Sequence, residues 1–172
     1  MDLSTIIHYF TEYGALAIFI IVLLEYMNLP GFPAGIIMPL AGVMAANGNI
    51  SFFWVMVITV AAGLLGSMIL YLLGRTGGEL FLKAYLKRFP KQRAGLEKNM
   101  DWVRQKGAKG VFVAKLLPMV RTLVSIPAGV LKMPLQKYIV SSTLGIFVWN
   151  LVFVGAGYLM GETVFDLLGA LS

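Results

Sequence analysis

A chain of 172 residues with 59% hydrophobic and only 13% charged side chains lacks the polar surface that a water-soluble domain of this size needs. Its mean hydropathy of +0.83 points to lipid as the solvent. The formal charge of +6 is concentrated in one block, which argues against nucleic acid, and the absence of cysteine excludes disulfides, thiolate nucleophiles and cysteine-held metals.

The first charges are Asp2 and Glu12 rather than a basic leader, so the apolar N-terminal region is expected to stay in the mature chain. His8 falls in a short amphipathic stretch and reads as interfacial rather than as a metal ligand. The first long apolar stretch, 13–46, is interrupted by Leu29-Pro30-Gly31-Phe32-Pro33. Each arm has 13–14 residues, about 20 Å as helix, too short to cross a hydrocarbon core of about 30 Å. A hairpin that enters and leaves on one side is the preferred reading; a single kinked transmembrane helix is the alternative.

Residues 51–73 carry no charge over 23 positions and predict a full transmembrane helix. Next comes a basic amphipathic segment, 75–108. Ten of the fourteen Lys and Arg residues lie between Arg75 and Lys109, none precedes Arg75 and none follows Lys137. Such a block marks a cytoplasmic loop, and its basic helices are expected on an anionic lipid surface. Residues 109–131 repeat the interrupted pattern, with Pro118 at the centre and Pro127 near the end, and the same two readings apply. Residues 138–161 predict the second full span.

Charge sets the topology. The helix at 51–73 ends inside, so the first hairpin opens outward, the second opens inward, and 138–161 runs out again. The expected fold is all-α and integral to the membrane, a single domain over 1–172. It consists of two inverted repeats, each a re-entrant helical hairpin plus a transmembrane helix, with amphipathic cytoplasmic helices between them.

Three charges fall inside the apolar hairpins: Glu25, Lys115 and Arg121. Each costs at least ~2.5–3.5 kcal/mol to bury on insertion scales. If the hairpin tips meet, the acid and both bases converge at mid-depth. They could form a functional cluster or merely an ion pair that glues the tips together. Tyr9, Tyr13, Trp54, Tyr138 and Tyr158 suit the interfacial aromatic belt, while Trp149 falls mid-span beside the expected cleft. Gly157-x-x-x-Gly161 suggests a packing or homodimer face.

The order and spacing of several motifs resemble the DedA family of bacterial membrane proteins, part of the wider VTT-domain group. They are Glu25 with Pro30-x-x-Pro33 and Ala41-Gly42; Gly66-Ser67-x-x-x-Tyr71-x-x-Gly74-Arg75; Phe112-x-x-Lys115-x-x-Pro118-x-x-Arg121-Thr122; Pro127-Ala128-Gly129 with Met133; and Trp149 with Gly157-Tyr158-x-x-Gly161. The resemblance covers about residues 13–161. It implies a multi-pass protein of the bacterial cytoplasmic membrane that moves phosphate-headed lipids, undecaprenyl phosphate or a phospholipid such as phosphatidylethanolamine, often at the expense of the proton gradient.

It also implies that Arg121 and Lys115 hold the phosphate and that Glu25 pairs with them and carries the proton. Pro30, Pro33, Pro118, Thr122, Ser67 and Tyr71 complete the expected substrate site. Two departures weaken the expectation of proton coupling: Ala34-Gly35 stand where a second acid is common, and Ser67 where Asp or Asn is common. Lys115 replaces a common Arg and forgoes bidentate phosphate binding. No cofactor, metal or catalytic residue is expected. The rival functions are a proton-coupled small-ion or drug transporter and a non-transporting protein of envelope assembly.

Overall fold

The computed structural model describes residues 3–27, 34–47, 50–118 and 120–161, and every regular element among them is helical. In chain order these are α1 (Leu3–Tyr26), α2 (Ala34–Ala46), α3 (Phe52–Arg88), a 3-10 turn (Pro90–Gln92), α4 (Arg93–Lys115), α5 (Val120–Leu123), α6 (Ser125–Val130) and α7 (Leu135–Met160). Pro30 and Pro33 of the first breaker lie outside the described residues, as do the side chains of His8, Tyr9 and Tyr13.

Glycine decides where the helices bend. Gly14 in α1, Gly78 in α3 and Gly107 in α4 have φ of 47°, 52° and 52° inside otherwise continuous helices. A side chain at such a φ is strained, so these bends depend on the missing Cβ. As a result α3 runs on past Leu73 and turns only at Gly78. Likewise α4 joins the basic segment to the first arm of the second interrupted stretch in one kinked helix, with no boundary at Lys109.

Among the described residues two helices, α3 and α7, are long and apolar enough to cross a membrane. The 26 residues of α7 span about 39 Å. Both helices turn large apolar side chains outward, including Phe53, Trp54, Leu65 and Leu72 on α3 and Val140, Leu144, Val152 and Leu159 on α7. Water would penalise that surface; lipid does not. The two helices are antiparallel. The ring of Phe52, first in α3, lies 5.1 Å from that of Tyr158 near the end of α7, and Tyr71 stacks at 4.3 Å on Tyr138 near its start. They touch midway, where a Cβ on Gly63 would sit 3.2 Å from Ile146 Cγ2.

The shorter helices pack onto this pair through backbone contacts. After Gly14, α1 follows α3 in the same direction: a Cβ on Gly14 would lie 3.8 Å from Ile50, and one on Gly66 only 2.6 Å from Leu23 O. The arm therefore begins level with the head of α3 and stops at its middle. The second arm, α2, packs on the far end of α7, where Cβ atoms on Gly42 and Gly157 would each come within 2.0 Å of Val154 O and Pro39 O.

The second half makes the matching contacts. The end of α4 follows α7, with Ala108 and Lys109 beside Gln136 and Lys137, and a Cβ on Gly145 would meet Lys115 Cβ at 2.5 Å. Across the molecule α6 packs on α3 just past its middle: Cβ atoms on Gly129 and Gly74 would lie 2.1 Å from Tyr71 O and 2.5 Å from Ile126 O. Gly157, read from the sequence as part of a packing or dimer face, is thus used within the chain, whereas Gly161 meets nothing within 4 Å.

Two expectations change with these contacts. One face of the basic segment is covered by protein: Leu96 packs with Leu70, Leu123 and Ile126, and Val103 with Tyr71, Val111 and Val124. Tyr138 does not join the interfacial belt but is fully buried, because its ring stacks on Tyr71 and its hydroxyl donates to Ser67 O at 3.0 Å. Trp54 is exposed on the outer face of α3.

Candidate functional site

The two arms that stop halfway bring their ends together. α1 delivers Glu25 and Tyr26 beside Gly63 and Gly66 of α3; α4 delivers Lys115 beside Gly145 of α7. The turn after α4 then starts α5, which carries Arg121. Arg121 Nη2 donates to Glu25 Oε1, and both side chains are only 2% exposed. The guanidinium is also held between two aromatic faces, its Cζ lying 4.6 Å from the Tyr26 ring centroid and 4.8 Å from that of Trp149. Ring quadrupoles replace part of the hydration a buried cation loses. The Tyr26 hydroxyl donates to Asn150 Oδ1 at 3.2 Å, tying α1 to α7 at the same level.

Lys115 joins this centre differently from the expectation. Its Nζ lies 5.6 Å from the Tyr26 ring centroid, but its hydrogen bonds go to Ser67 Oγ at 2.7 Å and Ser125 Oγ at 3.2 Å rather than to Glu25. Two hydroxyls occupy two of the three ammonium donors and leave the third available. The acid and both bases do converge, but among the described residues the carboxylate pairs with Arg121 alone.

The other sequence candidates fall around this core. Ser67 is in it, through its side chain to Lys115 and its carbonyl to Tyr138. Thr122 is buried beside Arg121, and Pro118 lies exposed in the turn between α4 and α5. Tyr71 stands farther along α3, where its hydroxyl donates to Met133 O at 2.6 Å and accepts from Arg75 Nη1 at 2.6 Å. It braces α3 against the connection into α7. Tyr71→Phe is expected to cost about 1 kcal/mol in thermal unfolding in detergent, since Arg75 already reaches Met133 O at 3.0 Å and keeps that carbonyl satisfied.

Tyr26, Ser125 and Asn150 were missed in the sequence. Asn150 left a signal, as the one carboxamide in an uncharged stretch of 24 residues. Ser125 and Tyr26 left none, because small hydroxyls and tyrosines are common in apolar helices. Among the described residues no three His, Asp or Glu side chains gather as a metal site requires.

Two helices of membrane length, an apolar exterior and an ion pair buried at their crossing define an α-helical membrane protein with a polar centre. The VTT domain family model matches residues 32–159. Undecaprenyl phosphate transporter A of Bacillus subtilis is 31% identical over 160 residues, covering 93% of this chain and 78% of that protein. The protein of the same name from Staphylococcus aureus is 32% identical, covering 96% and 81%. An alkaline phosphatase-like protein of Lactococcus lactis subsp. cremoris is 26% identical, covering 91% and 75%. No solved structure matches the chain. The chain belongs to the DedA family of VTT-domain membrane proteins.

Proposed function

We propose that this protein is a translocase for a lipid with a phosphate head group, undecaprenyl phosphate before a phospholipid, in the bacterial cytoplasmic membrane. The observation that carries the reading is the Arg121–Glu25 pair, sealed from solvent where the ends of two apolar arms meet. A charge pair there gains little over apolar packing, so its retention points to use. A planar guanidinium binds two phosphate oxygens at once, and Lys115 adds a point charge with a donor to spare. In the empty protein Glu25 occupies Arg121. Protonation of Glu25, or displacement by the head group, frees the fork for phosphate while the lipid tail stays in the bilayer.

The architecture suited to this task is a pair of inverted repeats with re-entrant arms. The matching glycine contacts support it. Each first arm stops at the middle of its own span, and each second arm packs on the span of the other half, Gly42 with Gly157 and Gly129 with Gly74. Under the positive-inside rule the basic segment faces the cytoplasm, and its exposed lysines and arginines would rest on anionic lipid.

Hydrolysis of the same head group is the second reading. It is favoured by Lys115 Nζ donating to Ser67 Oγ at 2.7 Å, a pairing not foreseen in the sequence; once it had lost a proton, the amine would take up the hydroxyl's. Vesicles reconstituted with the protein and labelled undecaprenyl phosphate separate the two. Appearance of intact labelled lipid in the opposite leaflet supports translocation; release of inorganic phosphate supports hydrolysis; neither, in folded protein, overturns both.

A further inference from the structure

The Arg121–Glu25 pair leaves several neighbouring polar atoms unused. Arg121 Nη1, Trp149 Nε1 and Asn150 Nδ2 are donors, each cut off from solvent and each without an acceptor among the described residues. All three belong to one cluster. Trp149 stacks against the guanidinium, and Asn150 accepts from Tyr26, which covers the other guanidinium face. Because Asn150 Oδ1 takes the Tyr26 hydroxyl, the amide's other edge is the free one. Within this cluster the unmatched acceptor is Glu25 Oε2. Three buried donors against one spare acceptor leave this cluster short of acceptors, which an oxyanion would supply.

We propose that the Trp149 indole N–H and the Asn150 amide complete a donor cage with Arg121 and Lys115, and that this cage fits a phosphate monoester rather than a diester. The proposal rests on the phosphate-lipid reading above and specifies its head group. Arg121 and Lys115 come from α5 and α4, Trp149 and Asn150 from α7. A monoester points three terminal oxygens in three directions about phosphorus, with a single ester arm leading to the tail. A diester has two such oxygens, so one fewer charged acceptor for these donors. Trp149 and Asn150 are thus specificity-determining residues that contact the head group.

The indole proton reports this directly. The chain has three tryptophans, Trp54, Trp102 and Trp149, so protein labelled with 15N-tryptophan in detergent shows three indole N–H resonances, and Trp149→Phe identifies one of them. On adding farnesyl phosphate, the Trp149 proton is expected to move downfield while the other two stay in place; farnesol should move none. Trp149→Phe keeps a ring against Arg121 and removes only the donor. It is expected to weaken farnesyl phosphate about tenfold, as is Asn150→Leu, with little change for lysophosphatidylglycerol, a diester.

If farnesyl phosphate binds with the Trp149 resonance unmoved and equally well to Trp149→Phe, the cage is wrong and the phosphate-lipid reading survives. Should lysophosphatidylglycerol bind as tightly as farnesyl phosphate, and depend equally on Trp149, the monoester preference is wrong. Failure of the folded wild-type protein to bind either probe overturns both readings.

Discussion

Arg121→Gln protein in vesicles is expected to move labelled undecaprenyl phosphate no faster than vesicles without protein. Two effects combine in this variant. The planar fork that would take the phosphate is gone, and the Glu25 carboxylate is left buried beside neutral neighbours. Removing one partner of a buried pair typically costs ~3–5 kcal/mol, because the remaining charge is neither solvated nor compensated. Denaturant unfolding in detergent should register that loss. Pairing Arg121→Gln with Glu25→Gln removes both charges and is expected to recover most of the stability, yet none of the flux. Arg121→Lys keeps the charge without the fork and should retain a small fraction of the rate. Flux in the double variant equal to wild type would reduce the pair to a structural clasp.

Gly157→Ala is expected to destabilise the protein by about 3 kcal/mol, whereas Gly155→Ala, half a turn away in the same helix, should be neutral or slightly stabilising. The contrast comes from what each Cβ would meet. At Gly157 it would fall 2.0 Å from Pro39 O, a backbone atom that cannot rotate aside, so α2 and α7 would have to separate; at Gly155 nothing lies within 4 Å. Gly129→Ala should behave like Gly157→Ala, because its Cβ would lie 2.1 Å from Tyr71 O at the α6–α3 contact. Thermal unfolding of the three variants in one detergent tests the pattern. Equal melting of Gly157→Ala and Gly155→Ala would mean that α2 is not seated on α7 as described.

The long apolar helices and the buried charges were legible in the sequence because both rest on simple magnitudes: helix rise against bilayer thickness, and the cost of a charge in hydrocarbon. The partners of those charges were not. Lys115 pairs with two serines, and nothing in residues 67 or 125 marks a hydroxyl that faces inward rather than back to its own helix. Amphipathic spacing showed that Leu96 and Val103 share an apolar face but could not say whether lipid or protein covers it; the structure supplies Leu123 and Ile126 for one and Val111 and Val124 for the other. Tyr138 misled for a related reason. A tyrosine where an apolar stretch begins looks the same whether its hydroxyl meets a lipid head group or the carbonyl of Ser67. The bends at Gly14, Gly78 and Gly107 were hidden among 19 glycines, since composition carries no dihedral angle.

The crossed seating of the second arms bears on how the protein is made. α2 leaves the ribosome more than a hundred residues before the surface it fits, around Val154 and Gly157. Until α7 is inserted, the notch at Gly42 faces lipid or an insertion factor, and the Glu25 carboxylate waits for an Arg121 not yet synthesised. Stop codons placed before α7 should therefore yield products that remain with the insertion machinery or are degraded, even though α3 alone is apolar enough to anchor them.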